Sequence, residues 1–116
     1  MYWYTRAANQ GNADAQVILG VLYDAGESVA RDSKHALYWF TQAANQGDAR
    51  AQFNLGMMYR NGEGAPRDYV QAYFWWSLAG AQGETEARRN IDATEKLMST
   101  EQIAQAQYLS REWKAQ

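Results

Sequence analysis

At 116 residues, with 47% of them apolar and 14% aromatic, the chain has hydrophobic material for one packed domain and not for two. A formal net charge of -2 with both signs interspersed removes the basic footprint of a general nucleic-acid binder, and no apolar run approaches the roughly 20 residues a membrane-spanning helix needs. Without cysteine there is no disulfide framework, thiol nucleophile or Cys-based zinc site, and the redox compartment stays open.

In chain order, residues 2–10 carry Trp3, Ala7 and Ala8 as one apolar stripe at helical spacing, and Gly11 stops that helix. Met1-Tyr2-Trp3-Tyr4 lacks the basic segment and apolar core of a signal peptide. Asn12 offers an N-cap to a helix whose buried face is Ala15, Leu19, Gly20 and Tyr23, ended by Gly26. Residues 27–31 read as a loop. Asp32 caps the next helix, through Ala36, Trp39, Phe40, Ala43 and Ala44, which Gly47 closes. Asp48 opens a helix with Ala51, Leu55, Gly56 and Tyr59 inward, followed by a loop over 61–66.

Asp68 and Gln71 stand at capping-box spacing ahead of a helix over 69–82. A more polar helix from about 84 to 97 keeps Ala87 and Ile91 inward. Ser99 with Gln102 forms a true capping box for a last helix bearing Ile103, Ala106, Leu109 and Trp113, expected to lie across the exposed end of the stack.

These elements repeat. Gly20 and Gly56, Tyr23 and Tyr59, Gly26 and Gly62, Asp32 and Asp68, and Trp39 and Trp75 are each 36 residues apart. Trp3, Ala7, Gln10 and Gly11 extend the register backwards; Ile91 continues Leu19 and Leu55, but Asp92 and Glu95 replace the glycine and tyrosine. A period of this size predicts a solenoid, whose units bury their apolar faces only against neighbours, with an atypical closing unit. The glycine costs about 1 kcal/mol of helix propensity relative to alanine, so its recurrence predicts a close approach between helices. The boundaries expected are a partial repeat at 1–11, repeats at 12–47 and 48–83, and capping helices at 84–116.

The pattern Ala-x-x-x-Leu-Gly-x-x-Tyr-x-x-Gly at 15–26 and 51–62, with Arg-Asp at 31–32 and 67–68 and Trp39-Phe40-x-x-Ala43-Ala44-x-Gln46-Gly47, resembles Sel1-like repeats, relatives of the tetratricopeptide repeat. The resemblance covers residues 3 to about 91. It implies an all-α fold, an α/α right-handed superhelix of antiparallel helix pairs, acting in bacteria as an adaptor that binds other proteins along its concave side. Ser28, Ala65-Pro66 and Gly80 depart from the pattern.

No constellation of catalytic residues emerges. His35 is the only histidine and has no second ligand at metal or hydrogen-bond spacing; it reads as a surface helix residue. Glu84, Glu86, Asp92 and Glu95 read as the solvated face of a capping helix, and Gly62-Glu63-Gly64 follows a helix and lacks the lysine of a phosphate loop. The expected protein is therefore not an enzyme and needs no cofactor or metal. Of the aromatic residues, most occupy repeating core positions.

One recurring set is offset from the buried face: Asp14, Val17, Val21 and Asp24, then Arg50, Phe53, Met57 and Arg60, then Glu86, Arg89, Ala93 and Lys96. By similarity to tetratricopeptide units these are concave-face positions, with Asn54 and Asn90 beside them. The candidate partner-binding residues are Asp14, Val17, Val21, Asp24, Arg50, Phe53, Asn54, Met57, Arg60, Arg89 and Lys96, opposed by the reading that Val17, Phe53 and Met57 simply pack between helices. The excess of cations in the later units predicts a protein or peptide partner that is acidic or bears a free carboxylate. The alternative is a glycan- or peptidoglycan-associated regulatory domain of a cell-envelope enzyme system, which requires Tyr2, Trp3, Tyr38, Tyr73 or Trp76 exposed together. The uncovered aromatics near the start predict self-association through residues 1–10. The protein is expected to be soluble, in a bacterial cytoplasm or periplasm, with any signal peptide upstream.

Overall fold

A computed structural model of the chain describes residues 2–26 and 30–115, so Ser28 and most of the first long loop lie outside the described residues. The described residues form seven helices and no strands: α1 (Tyr2–Asn9), α2 (Ala13–Ala25), α3 (Ser33–Asn45), α4 (Ala49–Asn61), α5 (Tyr69–Ala81), α6 (Thr85–Glu95) and α7 (Thr100–Glu112). They build an all-α repeat solenoid 45 Å long and 26 by 21 Å across.

The helix starts follow the local chemistry of the sequence. The Asn12 side chain accepts the Ala15 amide, Asp32 those of Lys34 and His35, Asp48 those of Arg50 and Ala51, and Asp68 that of Gln71, each satisfying N–H groups the first turn leaves unpaired. Ser99 and Gln102 form both halves of a capping box. Glu84 makes no such side-chain bond, and α6 is also the most polar of the helices. At their far ends α2 and α4 stop alike: Gly26 (φ 73°) and Gly62 (φ 71°) take the left-handed conformation and return their N–H groups to Leu22 and Met58.

From α1 to α6, consecutive helices pack antiparallel. Phe40 lies over Gly20 while the Asp32 amide reaches the Tyr23 carbonyl, and on the other side of the stack Arg88 meets Gly80 while Glu95 meets Tyr73. The core is one cluster per junction. Ala8, Ala15, Leu19 and Trp39 join α1, α2 and α3; Val17, Ala36, Phe40, Ala51, Leu55, Phe74 and Trp75 fill the middle; Ala72, Trp76, Ala79 and Ala87 close the far end. The repeated glycine admits an aromatic ring of the partner helix. A Cβ built at Gly20 comes within 2.6 Å of the Phe40 ring, and one at Gly56 overlaps the indole of Trp76, whose Nε1 donates to the Phe53 carbonyl at 3.2 Å.

A second repeating contact is polar. Gln16, three residues into α2, is buried and donates to the Ala8 carbonyl at the end of α1, and Gln52 does the same for Ala44 at the end of α3. These bonds satisfy helix-terminal carbonyls that burial would otherwise strand. Each glutamine oxygen then accepts from a glutamine 30 residues on: Gln46 to Gln16 at 2.9 Å and Gln82 to Gln52 at 3.0 Å. In the third register Arg88 donates twice to Gly80, at 3.1 and 2.7 Å, and the ladder ends because a guanidinium has no acceptor. Gly80 stands where Ala8 and Ala44 stand in the other units, and a Cβ there would sit 3.0 Å from the Arg88 Cγ, so the missing methyl makes room for the longer side chain.

The last helix differs from expectation. Instead of covering α6, α7 packs along α5, where Leu109 and Trp113 join the central cluster and Trp113 and Ala115 approach Gly47. Tyr73 pins it: its hydroxyl donates to Glu95 at 2.9 Å and accepts from Gln107 at 3.2 Å, tying α5, α6 and α7 together. Burial, and then the Glu95 carboxylate, push the Tyr73 hydroxyl pKa up despite the opposing bond from Gln107. Asp92 replaces the repeating glycine in α6, on which no following helix packs closely among the described residues.

Candidate partner-binding face

Helices α2, α4 and α6 stand side by side at intervals of one repeat, so residues 36 apart fall in rows across them. Two contacts join the row of helices laterally: Arg50 Nη2 to Asp14 Oδ1 at 2.6 Å, and Asn90 Nδ2 to Met57 Sδ at 3.5 Å. Their shared face holds most of the candidate residues, though not on equal terms.

Of the two readings of Val17, its burial fits the packing one. It is only 6% exposed and belongs to the central cluster with Ala51 and Leu55, because its position points sideways into the gap between α2 and α4. It is a packing residue. Val21, a turn further along, is 45% exposed. Their counterparts Phe53 and Met57 are half-buried, leaning on the cluster of Ala72, Trp76 and Ala87 while keeping an open side, and Asn54 and Asn90 beside them are half-buried too.

The charges sort into two edges. At the edge where the helices start, Arg50 is committed to Asp14 and to Asp48, at 2.6 and 2.7 Å, and Arg89 pairs with Glu86 at 2.9 Å. Partial burial would raise the Asp48 pKa, but the bonds from Arg50 and the Ala51 amide outweigh it and hold the carboxyl below its usual value. Asp48 and Asp14 in turn raise the Arg50 pKa. At the opposite edge Arg31 lies 3.9 Å from Asp24, bonds the Asp24 carbonyl at 2.9 Å and bridges to Glu63 at 2.9 Å. On that edge Arg60 and Lys96 carry no ion pair among the described residues. Arg50 is thus engaged within the chain, whereas Arg60 and Lys96 are not ion-paired among the described residues.

His35 sits away from this face. Its ring stacks on Tyr23 with centroids 4.9 Å apart, and Nδ1 lies 2.6 Å from Asp32 Oδ2. The His35 backbone amide and then its ring lower the Asp32 pKa, so Asp32 serves as the cap of α3 and as the partner of the ring. No group of three His, Cys, Asp or Glu capable of holding a metal ion occurs among the described residues. Of the aromatics a glycan groove would expose, Tyr73 and Trp76 are buried, whereas Tyr2, Trp3 and Tyr38 are exposed, Tyr2 and Trp3 with ring centroids 5.1 Å apart. The glutamine ladder was missed by sequence reasoning, although the identity of residues 16 and 52 at one period's spacing was a visible signal.

No helix among the described residues is long and apolar enough to cross a membrane. No curated protein matches the chain. The Sel1 repeat family model matches residues 1–12, 13–48 and 49–84. Among solved structures, a protective antigen present in uropathogenic Escherichia coli strains displaying an SLR fold superposes with a TM-score of 0.92 at 36% identity, over 97% of this chain and 24% of its own. A Sel1 repeat protein from Oxalobacter formigenes superposes with a TM-score of 0.78 at 41% identity, over 80% of this chain and 27% of its own. The chain therefore spans about a quarter of the length of these relatives. With three family matches in register and the repeat contacts described above, the chain belongs to the Sel1 repeat family.

Proposed function

We propose that the chain is a non-enzymatic protein-interaction scaffold that holds a segment of a partner protein along the α2, α4 and α6 face, the concave side by analogy with tetratricopeptide units. The observation that carries this reading is the half-buried pair Phe53 and Met57, apolar and adaptable, set beside Asn54 and Asn90 on a face against which no other described helix packs closely. Asn54 and Asn90 supply donors and acceptors for a peptide backbone. Arg60 and Lys96, without ion pairs among the described residues, favour an acidic stretch or a terminal carboxylate at one edge. The Asp14 and Arg50 pair at the other edge gives a rim of balanced charge.

The test is capture of a partner from cells by the intact chain, followed by titration with variants. Arg60→Glu is expected to weaken binding most at low salt, since rim charges act on association rate and are screened. Phe53→Ala is expected to weaken it at every salt concentration, by about 2 kcal/mol for a buried anchor. Because Phe53 also leans on the core, each variant is first checked for a cooperative melt. Unchanged affinity in both folded variants would move the binding site to the loops or the outer helices.

A further inference from the structure

The edge at which α2 and α4 end is built twice on one backbone plan. The Asp32 amide donates to the Tyr23 carbonyl at 3.0 Å and the Asp68 amide to that of Tyr59 at 2.9 Å. A Cβ built at Gly26 lies 3.2 Å from the Arg31 Cβ, and one at Gly62 lies 3.5 Å from the Arg67 Cβ, so the two arginines leave the chain at equivalent points. Their surroundings differ in sign. Arg31 Nε donates to the Asp24 carbonyl at 2.9 Å, while its Nη2 lies 3.9 Å from the Asp24 carboxylate and 2.9 Å from that of Glu63. One period on, the register of Asp24 holds Arg60 and that of Glu63 holds Ser99, whose hydroxyl is occupied by the Gln102 amide.

Arg67 therefore has neither of the carboxylates that Arg31 has. Its Cζ lies over the Tyr69 ring, 5.3 Å from the centroid, a contact made through the face of the guanidinium that leaves its N–H edges free to donate. Arg60, in the last turn of α4, and Lys96, its counterpart at the end of α6, join Arg67 in making no ion pair among the described residues. The carboxylates closest in sequence are engaged, Glu63 by Arg31 and Asn61 and Asp68 by the Gln71 amide. A cationic edge thus stands on a chain whose net charge is -2, and it stands between complete units, with α4, α5 and α6 all in place.

We infer that Arg60 and Arg67 form a seat for a phosphate monoester, with Lys96 on the same edge. The repeat supplies the reason. Where one unit sets a carboxylate against the arginine, the next sets a second guanidinium, and a compact dianion offsets both charges while its tetrahedral oxygens accept from two guanidiniums at once; a single carboxylate serves one. The edge borders the α2, α4 and α6 face, so the carrier of the phosphate, which rests on the scaffold reading proposed above, is a phosphorylated side chain of the bound segment.

The first probe is inorganic phosphate, titrated to about 50 mM near pH 8 against chloride at matched ionic strength, with thermal unfolding as the readout. At tenfold above its Kd, phosphate is expected to raise Tm by about 5 °C. Arg60→Asp copies the Asp24 and Arg31 arrangement; it is expected to fold and to lose the gain, as is Arg67→Gln at an exposed position. General stabilisation by excluded phosphate is common to all three proteins, so the difference between them is what counts. The second probe is a short uncharged peptide bearing one phosphoserine, expected to bind about tenfold more tightly than its glutamate form. Tighter binding of the phosphoserine peptide than of inorganic phosphate assigns the group to a protein; equal binding keeps the seat and overturns that assignment in favour of a small phosphorylated molecule. An equal Tm gain in the wild-type chain and both variants, or equal affinity for the phosphoserine and glutamate forms, would overturn the seat. The scaffold reading fails separately, since Phe53→Ala bears on partner capture and leaves the phosphate difference between the wild-type chain and Arg67→Gln in place.

Discussion

Replacing Gly56 with leucine sets helix propensity against packing, and the structure decides which wins. On propensity alone the exchange stabilises α4 by somewhat under 1 kcal/mol. Against that, the new Cβ meets the indole of Trp76, which is fully buried and held by its bond to the Phe53 carbonyl at 3.2 Å. The ring can retreat only by giving up that bond, at about 0.5–1.5 kcal/mol, and by disturbing Ala72, Ala79 and Ala87 around it. Overpacking of a tight core costs about 1–3 kcal/mol. The terms sum to a net loss of about 1–3 kcal/mol. With an unfolding entropy of roughly 2.1 cal/mol/K per residue, each kcal/mol is worth about 4 °C in Tm for a chain of this size. Thermal and urea unfolding followed by circular dichroism should therefore show Tm lower by about 4–12 °C with a cooperative transition retained. An unchanged or higher Tm would mean that the indole moves freely and that the repeated glycine is not a contact point.

The Gly80 and Arg88 pair makes a sharper test of the same principle: Gly80→Ala alone should destabilise by about 1 kcal/mol despite better propensity, and Arg88→Gln added to it should recover the loss by restoring the combination seen at Ala44 and Gln52, a coupling that a double-mutant cycle reads directly. Stability should also depend on pH in the acid range. Asp48 has a folded-state pKa below 3.8, so the native state binds fewer protons there than the unfolded chain, and the stabilisation is present above that value and lost as pH falls through the folded pKa. Tm measured from pH 5 downwards should fall, and more gently in Asp48→Asn; parallel slopes would show that Asp48 is not a source of the effect.

Much of this molecule was legible in its sequence because its period is both chemical and geometric. Helix starts were fixed by Asn12, Asp32, Asp48, Asp68 and Ser99, whose side chains act on amides two or three residues away, and local bonds of that kind need no tertiary information. The 36-residue recurrence of glycine, tyrosine and tryptophan implied helices that bury their faces against neighbours, since no single unit could do so alone. Tertiary structure decided matters that depend on distances between units. Val17 and Val21 are equivalent in periodicity, yet one fills the gap between α2 and α4 and the other faces outward. Arg50 looked available until Asp14, one period earlier, was brought to its guanidinium. The exchange of alanine for glycine at residue 80 looked like an irregularity in the repeat; it is the space Arg88 needs to reach the carbonyl that glutamine serves elsewhere. The course of α7 followed from Tyr73 and the central cluster rather than from its own amphipathic face, because a helix pattern states which side is buried and leaves open which neighbour does the burying.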